Sequence, residues 1–237
     1  MSSRGPADLQ VRALCVRYGS ARVLESVSFR VGAGEIVGLA GRNGAGKTTV
    51  LRAIAGAVPR VAGSVLEFNG RSLPKVQWQV ARLGISWVPE GRAIIPQLTA
   101  LENLRYGALA VGGRAGHADL DEVLKLLPDL SPYLGQLGWT LSGGQQQLVA
   151  IARGVMARPK LLMIDEMSLG LSPKSVELAS QAVVRLREAG LGLLLVDQNV
   201  RSLARICDRL IVLSDGVSSE VDLADDTALE HFTSAYF

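Results

Sequence analysis

Residues 35–48 read Glu35-Ile36-Val37-Gly38-Leu39-Ala40-Gly41-Arg42-Asn43-Gly44-Ala45-Gly46-Lys47-Thr48. The first six make a near-continuous apolar run, the pattern of a strand buried on both faces. The next eight fit the phosphate-binding loop pattern G-x-x-x-x-G-K-[ST]. Lys47 to Ala57 then has helical spacing. The physics asks for these residue types in this order. Glycines let backbone N–H groups turn inward onto phosphate oxygens. The following helix presents its positive N-terminal end. Lys47 adds a point charge at the outer phosphates, and the Thr48 hydroxyl can ligate Mg²⁺. The candidate nucleotide-binding residues are therefore Gly41, Arg42, Asn43, Gly44, Ala45, Gly46, Lys47, Thr48 and Thr49. The competing reading is an ordinary glycine-rich turn between a strand and a helix.

Working outward, Leu161 to Ile164 is another apolar strand, and it ends in Asp165 and Glu166. Ligands of parallel sheets bind at such strand ends. Asp165 is placed to hold Mg²⁺ through water, and Glu166 to polarise a water that attacks the γ-phosphate. Leu191 to Val196 and Leu210 to Leu213 are further buried strands, the latter closed by the Asp215-Gly216 turn. Ser172-Pro173 supplies an N-cap and first-turn pair for a helix through Ala189. Buried strands alternating with helices imply an α/β fold with a mostly parallel sheet covered on both faces. Ahead of the glycine loop, Leu9 to Val16 and Ser26 to Val31 read as strands. Val65 to Phe68 follows it, with the Asn69-Gly70 turn signal. Roughly Glu90 to Val155 reads as a mostly helical insertion. In it, the capping-box pair Thr99 and Glu102 starts a helix at Leu101. Gly112 to Ala118 reads as a mobile loop and Asp119 to Leu127 as an amphipathic helix.

The 237 residues are 48% hydrophobic and 20% charged, a globular composition with a sizeable core. Mean hydropathy is +0.26, which raises the question of a membrane span. The longest charge-free run, Leu130 to Ala152, contains Pro132, Gly143, Gly144 and three consecutive glutamines, Gln145 to Gln147, so it is not one. Met1 to Gln10 is polar, and no secretory signal is expected. The apolar excess belongs in a core or on a surface that a partner covers. A net charge of +3 without a Lys/Arg block gives no nucleic-acid stripe, so no nucleic-acid partner is expected. Cys15 and Cys207 lie far apart and read as free thiols. With His117 and His231 the only histidines, a histidine-based metal site or triad is poorly supplied.

Leu141-Ser142-Gly143-Gly144-Gln145 stands at a helix start, shortly before the acidic strand. As chemistry alone, an anion-binding nest and a tight helix cap are equally good readings. Between the two phosphate-site motifs, however, it resembles the signature of the ABC ATPases, the ATP-binding cassettes. The resemblance covers about Leu9 to Leu213, and Ser168 to Ser172 looks like that family's D-loop. It implies a single cassette over 1–237: a phosphate-loop NTPase core, an N-terminal antiparallel β subdomain and a helical subdomain near 90–155. It further implies that Tyr18 lies against adenine. Ser142, Gly143, Gly144 and Gln145 would close on the γ-phosphate held by a second cassette, identical or related, with ATP and Mg²⁺ as cofactors.

The resemblance narrows further. Val88-Pro89-Glu90-Gly91-Arg92, Leu98-Thr99, Glu102-Asn103-Leu104 and Val196-Asp197-Gln198-Asn199 look like the ATPase subunits of branched-chain amino-acid importers. There Glu90 replaces the usual glutamine beside Mg²⁺, and Gln198 replaces the switch histidine. Gln198 keeps an oxygen for the attacking water but cannot carry a proton as imidazole does. The implied catalytic pair is Glu166 and Gln198, and the metal set is Thr48, Glu90 and Asp165. Met167 stands where proline is usual, and Asp197 where glutamate is. The implied function is an ATP-hydrolysing cassette at the cytoplasmic face of the membrane. It would power import of a small solute through separate permease subunits, served by a solute-binding protein. The alternatives are a soluble ABC ATPase or an ATP-gated clamp. Ile94, Ile95, Pro96 and Leu98 are read as either a permease-docking cluster or packing under the helical insertion.

Overall fold

The computed structural model describes residues 7–109 and 117–223, without the side chains of 117–119. Most of the expected mobile loop and the tail Glu230 to Phe237 lie outside the described residues. One mixed sheet organises the chain, in the order β5-β4-β1-β2-β10-β9-β3-β8-β7-β6. Its parallel half is β3 (Ile36–Ala40), β6 (Ile85–Val88), β7 (Leu161–Asp165), β8 (Gly192–Asp197) and β9 (Arg209–Ser214). Three of these strands, β3, β7 and β8, are buried at every position. Helices cover both faces, which is why these strands read as continuous apolar runs rather than alternating ones. Residues at the carboxyl ends, Ala40, Asp165 and Asp197, come into line because Ala40 pairs with Asp197 and Asp165 with Val196.

The antiparallel half is β1 (Asp8–Tyr18), β2 (Ala21–Gly32), β4 (Val65–Phe68), the short β5 (Arg71–Ser72) and β10 (Val217–Val221). A parallel bridge between Val217 and Ser26 joins the halves. One apolar core lies between the antiparallel strands and α1 (Lys47–Ile54), with Leu24, Val27, Leu51 and Ile54 fully buried. The other gathers α3 (Ala100–Leu109), α4 (His117–Leu126), α5 (Gly143–Met156) and α6 (Pro173–Glu188) against the sheet's other face. Truncating a side chain here, such as Leu104 or Leu148, would cost about 2–5 kcal/mol.

Local signals account for the helix ends. The glycine loop leads straight into α1 at Lys47. That helix stops earlier than its spacing suggests because Gly56 adopts φ +73°. This lets the Gly56 and Ala57 amides bond back to Ala53 and Arg52, a Schellman ending. The capping box forms as expected, with the Thr99 amide donating to Glu102 at 2.8 Å and the Glu102 amide to Thr99 Oγ1 at 3.2 Å. The helix it starts begins at Ala100. Ser172 caps α6, with Pro173 in the first turn. Among the elements that the sequence reading leaves out are α2 (Gln77–Arg82), β5, β6, α7 (Val200–Ala204) and β10. Each is short, and β6 is recognisable only through its pairing with β7.

Candidate active site

The glycine loop wraps a cleft of about 360 Å³ lined by Asn43, Gly44, Gly46, Lys47, Thr48, Thr49, Glu90, Glu166 and Gln198, together with Val23 and Leu169. The loop tolerates little beyond glycine. Gly46 sits at φ +100°, and a Cβ there would meet Leu24 at 2.7 Å; one on Gly41 would meet the Leu213 carbonyl at 2.6 Å. A second cleft of about 580 Å³ lies on the loop's other flank, sharing Val23, Asn43 and Gly44 and adding Arg42, Ala45 and Gly41. Every glycine-loop residue singled out from the sequence thus lines one cleft or both.

Lys47 is nearly buried. Its ammonium donates to the Gly41 carbonyl at 2.7 Å and the Arg42 carbonyl at 3.2 Å, and pairs with Glu166 Oε1 at 3.3 Å. Asp165 lies just behind, 2% exposed, its two oxygens without a hydrogen-bonding partner of good geometry. Burial pushes its carboxyl up to about 6, and the neighbouring Thr48 hydroxyl offsets only part of that. Glu166 is also raised, mainly by burial; Lys47 opposes the shift and Asp197 adds to it. Glu166 adopts φ +49°, uncommon for a residue with a side chain, and its amide bonds to the Val196 carbonyl at 2.8 Å. The strain turns the carboxylate out of strand β7 toward the cleft, where Glu166 Oε2 has no partner.

Asp197, which the sequence offered only as a departure from a pattern, proves to be a latch. Nearly inaccessible at the end of β8, it accepts the Ser168 amide at 2.8 Å and the Asn199 amide at 2.9 Å. One carboxylate so holds both the turn after Glu166 and the turn carrying Gln198. The strand-end position was the available signal; the distant Ser168 partner was not visible in the sequence.

Two groups of candidates do not join the cleft. Tyr18 lines neither cavity; it stands 42% exposed at the β1–β2 turn, paired with Ala21, a few residues before Arg22 and Val23, which line the second. Ser142, Gly143, Gly144 and Gln145 form the start of α5, where Ser142 and Gln145 make a reciprocal capping box, the Ser142 amide donating to Gln145 Oε1 at 2.8 Å. The cap reading is therefore realised, and the amides at this helix start remain suited to an anion. Met167 is buried in the apolar core.

A different cavity of about 610 Å³ opens between α2 and β6 on one side and α3 and α5 on the other. Val80, Ile85, Val88, Tyr106, Leu109 and Met163 give it an apolar lining. Tyr106 and Leu109 are 55% and 60% exposed. In the cluster read as either docking or packing, Ile94 packs on the helical core, and Asn103, fully buried, bonds both the amide and the carbonyl of Ile95. The packing reading fits Ile94, whereas Ile95 is held through its backbone and Pro96 stays exposed; the groove beside Tyr106 is a further apolar surface.

Comparison with known proteins places this geometry in a family. Residues 24–168 match the ABC transporter family, and the chain belongs to it. A branched-chain amino acid transport ATP-binding protein, BraG of Pseudomonas aeruginosa, is 38% identical over 84% of this chain and 85% of its own length. LptB of Escherichia coli, from a lipopolysaccharide export system, is 35% identical over 89% of the chain and 88% of its own. The ADP conformation of MJ1267, an ATP-binding cassette of an ABC transporter, superimposes with a TM-score of 0.84 over 96% of this chain and 95% of that one at 23% identity, a likeness of fold. The protein is thus an ATP-binding, ATP-hydrolysing cassette of the ABC transporters, a family whose cassettes dimerise and work with membrane permease components.

Proposed function

We propose that this cassette powers import of a small solute, an amino acid of the branched-chain kind or a near relative, through separate permease subunits. The observation that carries the reading is the conjunction of Glu90 and Gln198 on the phosphate cleft with the 38% identity to BraG. The groove beside Tyr106 supports it. An apolar cavity bounded by four elements suits a short helix from a membrane subunit. Among the described residues no helix is long and apolar enough to cross a membrane. Attachment to a permease at the cytoplasmic face, fed by a solute-binding protein, completes the proposal.

The chemistry follows from the side chains. The ammonium of Lys47 stands among Glu166, Asp165 and their neighbours, and phosphate oxygens compete with Glu166 for it. As ATP takes the ammonium, Glu166 is freed to accept a proton from water aimed at the γ-phosphate. Its raised proton affinity makes it a better base than an ordinary carboxylate. Gln198 orients that water through its amide without carrying the proton. Thr48, Asp165 and Glu90 would hold Mg²⁺, which neutralises charge on the phosphates when bound. The two partnerless oxygens of Asp165 fit a hard cation. Among the described residues no three histidine, cysteine, aspartate or glutamate side chains gather at one point. Ser142 to Gln145 would face the γ-phosphate of a second cassette, and Tyr18 the adenine ring.

The test is reconstitution. The cassette assembled with permease subunits of the branched-chain amino-acid type, in vesicles with the matching binding protein, should take up labelled leucine, isoleucine or valine only with ATP. ATP-driven export, or uptake of a sugar in preference, would overturn the substrate class.

A further inference from the structure

Gly91, Arg92 and Ala93 follow one another at φ +74°, +66° and +46°. Three successive left-handed residues, two of them with side chains, persist only where surrounding contacts hold them. Those contacts come from Arg153 on α5, whose guanidinium donates to the carbonyl of Arg92 at 3.0 Å and to that of Ala93. Arg153 also lines the apolar groove. The turn throws the Arg92 side chain the other way. Its guanidinium donates to Gln146 Oε1 at 3.2 Å, in the first turn of α5, and to the Leu169 carbonyl at 3.3 Å, in the loop after Glu166. A Cβ on Gly143 would come within 3.3–3.4 Å of both terminal nitrogens, so the fork lies against the helix start itself. Leu169 and Glu90 both line the phosphate cleft.

We propose that Arg92 is a positioning residue for ATP hydrolysis, keying the start of α5 and the loop after Glu166 to the position of Glu90. Glu90 stands two residues before Arg92 on the strained turn, so a displacement of Glu90 at the cleft moves the guanidinium. The guanidinium carries Leu169 and the Ser142–Gln146 cap with it. Arg153 anchors the other side of the turn against the groove, so occupancy of the groove reaches the same fork. Lysine keeps the charge but not the two-pronged geometry that spans Gln146 and Leu169.

The experiment compares Arg92→Ala, Arg92→Lys, Gln146→Ala and the Arg92→Ala/Gln146→Ala pair in the purified full-length chain. Phosphate release gives kcat, fluorescent ATP with Mg²⁺ gives affinity, and thermal melting gives stability. Arg92→Ala should lower kcat about 10- to 100-fold, as misplacement of reacting groups does. ATP affinity and melting should stay within about twofold and a few degrees of wild type. Arg92→Lys should recover only part of the loss, and the double variant should be no slower than Arg92→Ala alone. Unchanged kcat in Arg92→Ala overturns the proposal. So does a loss of affinity and melting in step with kcat, which marks a plain structural brace. Additive losses in the double variant overturn it as well. If Arg92→Ala fails to fold, Arg92→Lys and Gln146→Ala decide on the same criteria.

Discussion

The phosphate cleft is lined by a glycine loop, one buried ammonium and the carboxylates of Glu90 and Glu166, whereas the groove beside Tyr106 is lined by Val80, Ile85, Val88, Leu109 and Met163. Both open on the same sheet, and Val88 and Glu90, two residues apart, belong one to each. At the first, a few charges in dry surroundings do the chemistry, so a change of one atom is felt fully. At the second, recognition comes from apolar area spread over many side chains. Trimming one is mild there, and only an inserted charge, which would have to be desolvated on docking, disrupts it.

The largest expected effect sharpens the first half of that contrast. Glu166→Gln keeps the shape and removes the base, and should lower phosphate release by roughly 10²- to 10⁴-fold with ATP still bound. Turnover within a few-fold of wild type would mean that Glu166 is not the base. Lys47→Ala deletes the ammonium that three oxygens share, and nucleotide affinity measured by calorimetry should fall about 10- to 100-fold or more.

Tyr106→Asp probes the other cleft. The isolated chain should bind ATP normally and melt normally, since Tyr106 is more than half exposed. Co-purification with the permease subunits should be lost. A fall in ATP affinity would break the separation between the two clefts. Asp165 gives a milder, pH-dependent effect. Its folded pKa, about 6, exceeds the ordinary 3.8, so the folded chain binds the proton more tightly than the unfolded one. Its contribution to stability is therefore present at low pH and is lost as pH rises from about 4 to 6. Asp165→Asn should remove that loss in denaturant titrations between pH 4 and 7, while weakening the Mg²⁺ dependence of ATP binding. Smallest of all, Gln198→Ala should slow turnover several-fold, because a water-orienting amide is lost but no proton carrier. Gln198→His should be tolerated. Equal turnover for wild type and Gln198→Ala would take Gln198 out of the mechanism.

Much of the cleft was legible because its parts are local. A strand, a loop and a helix in direct succession announce themselves over Glu35 to Ala57, and strand β7 carries its two acids at its end. The signature at Leu141 to Gln145 was legible as a motif, yet the sequence could not choose between a cap and a nest, and the structure shows the cap. Tyr18 is implied only by the family resemblance, and it lines neither of the two clefts flanking the glycine loop. The groove was not legible at all. Its walls come from α2, β6, α3 and α5, and two of those elements are too short to leave a periodic trace. The apolar cluster at Ile94 to Leu98 is legible because it is contiguous, while the groove is assembled from residues 55 to 163.

The amino-acid sequence by itself determined the phosphate loop, the acidic strand end, the parallel α/β class and the family, because each is carried by residues adjacent in the chain and by the periodicity of burial. Only the tertiary structure decided that Asp197 latches Ser168 and Asn199 together, that Glu166 is turned out at φ +49° to face Lys47, and that Arg92 bridges Gln146 and Leu169. Those contacts join residues from two apart, Asp197 and Asn199, to as distant in the chain as Lys47 and Glu166. Their partners are fixed by strand order and by the packing of α5 against the sheet, which no local pattern encodes.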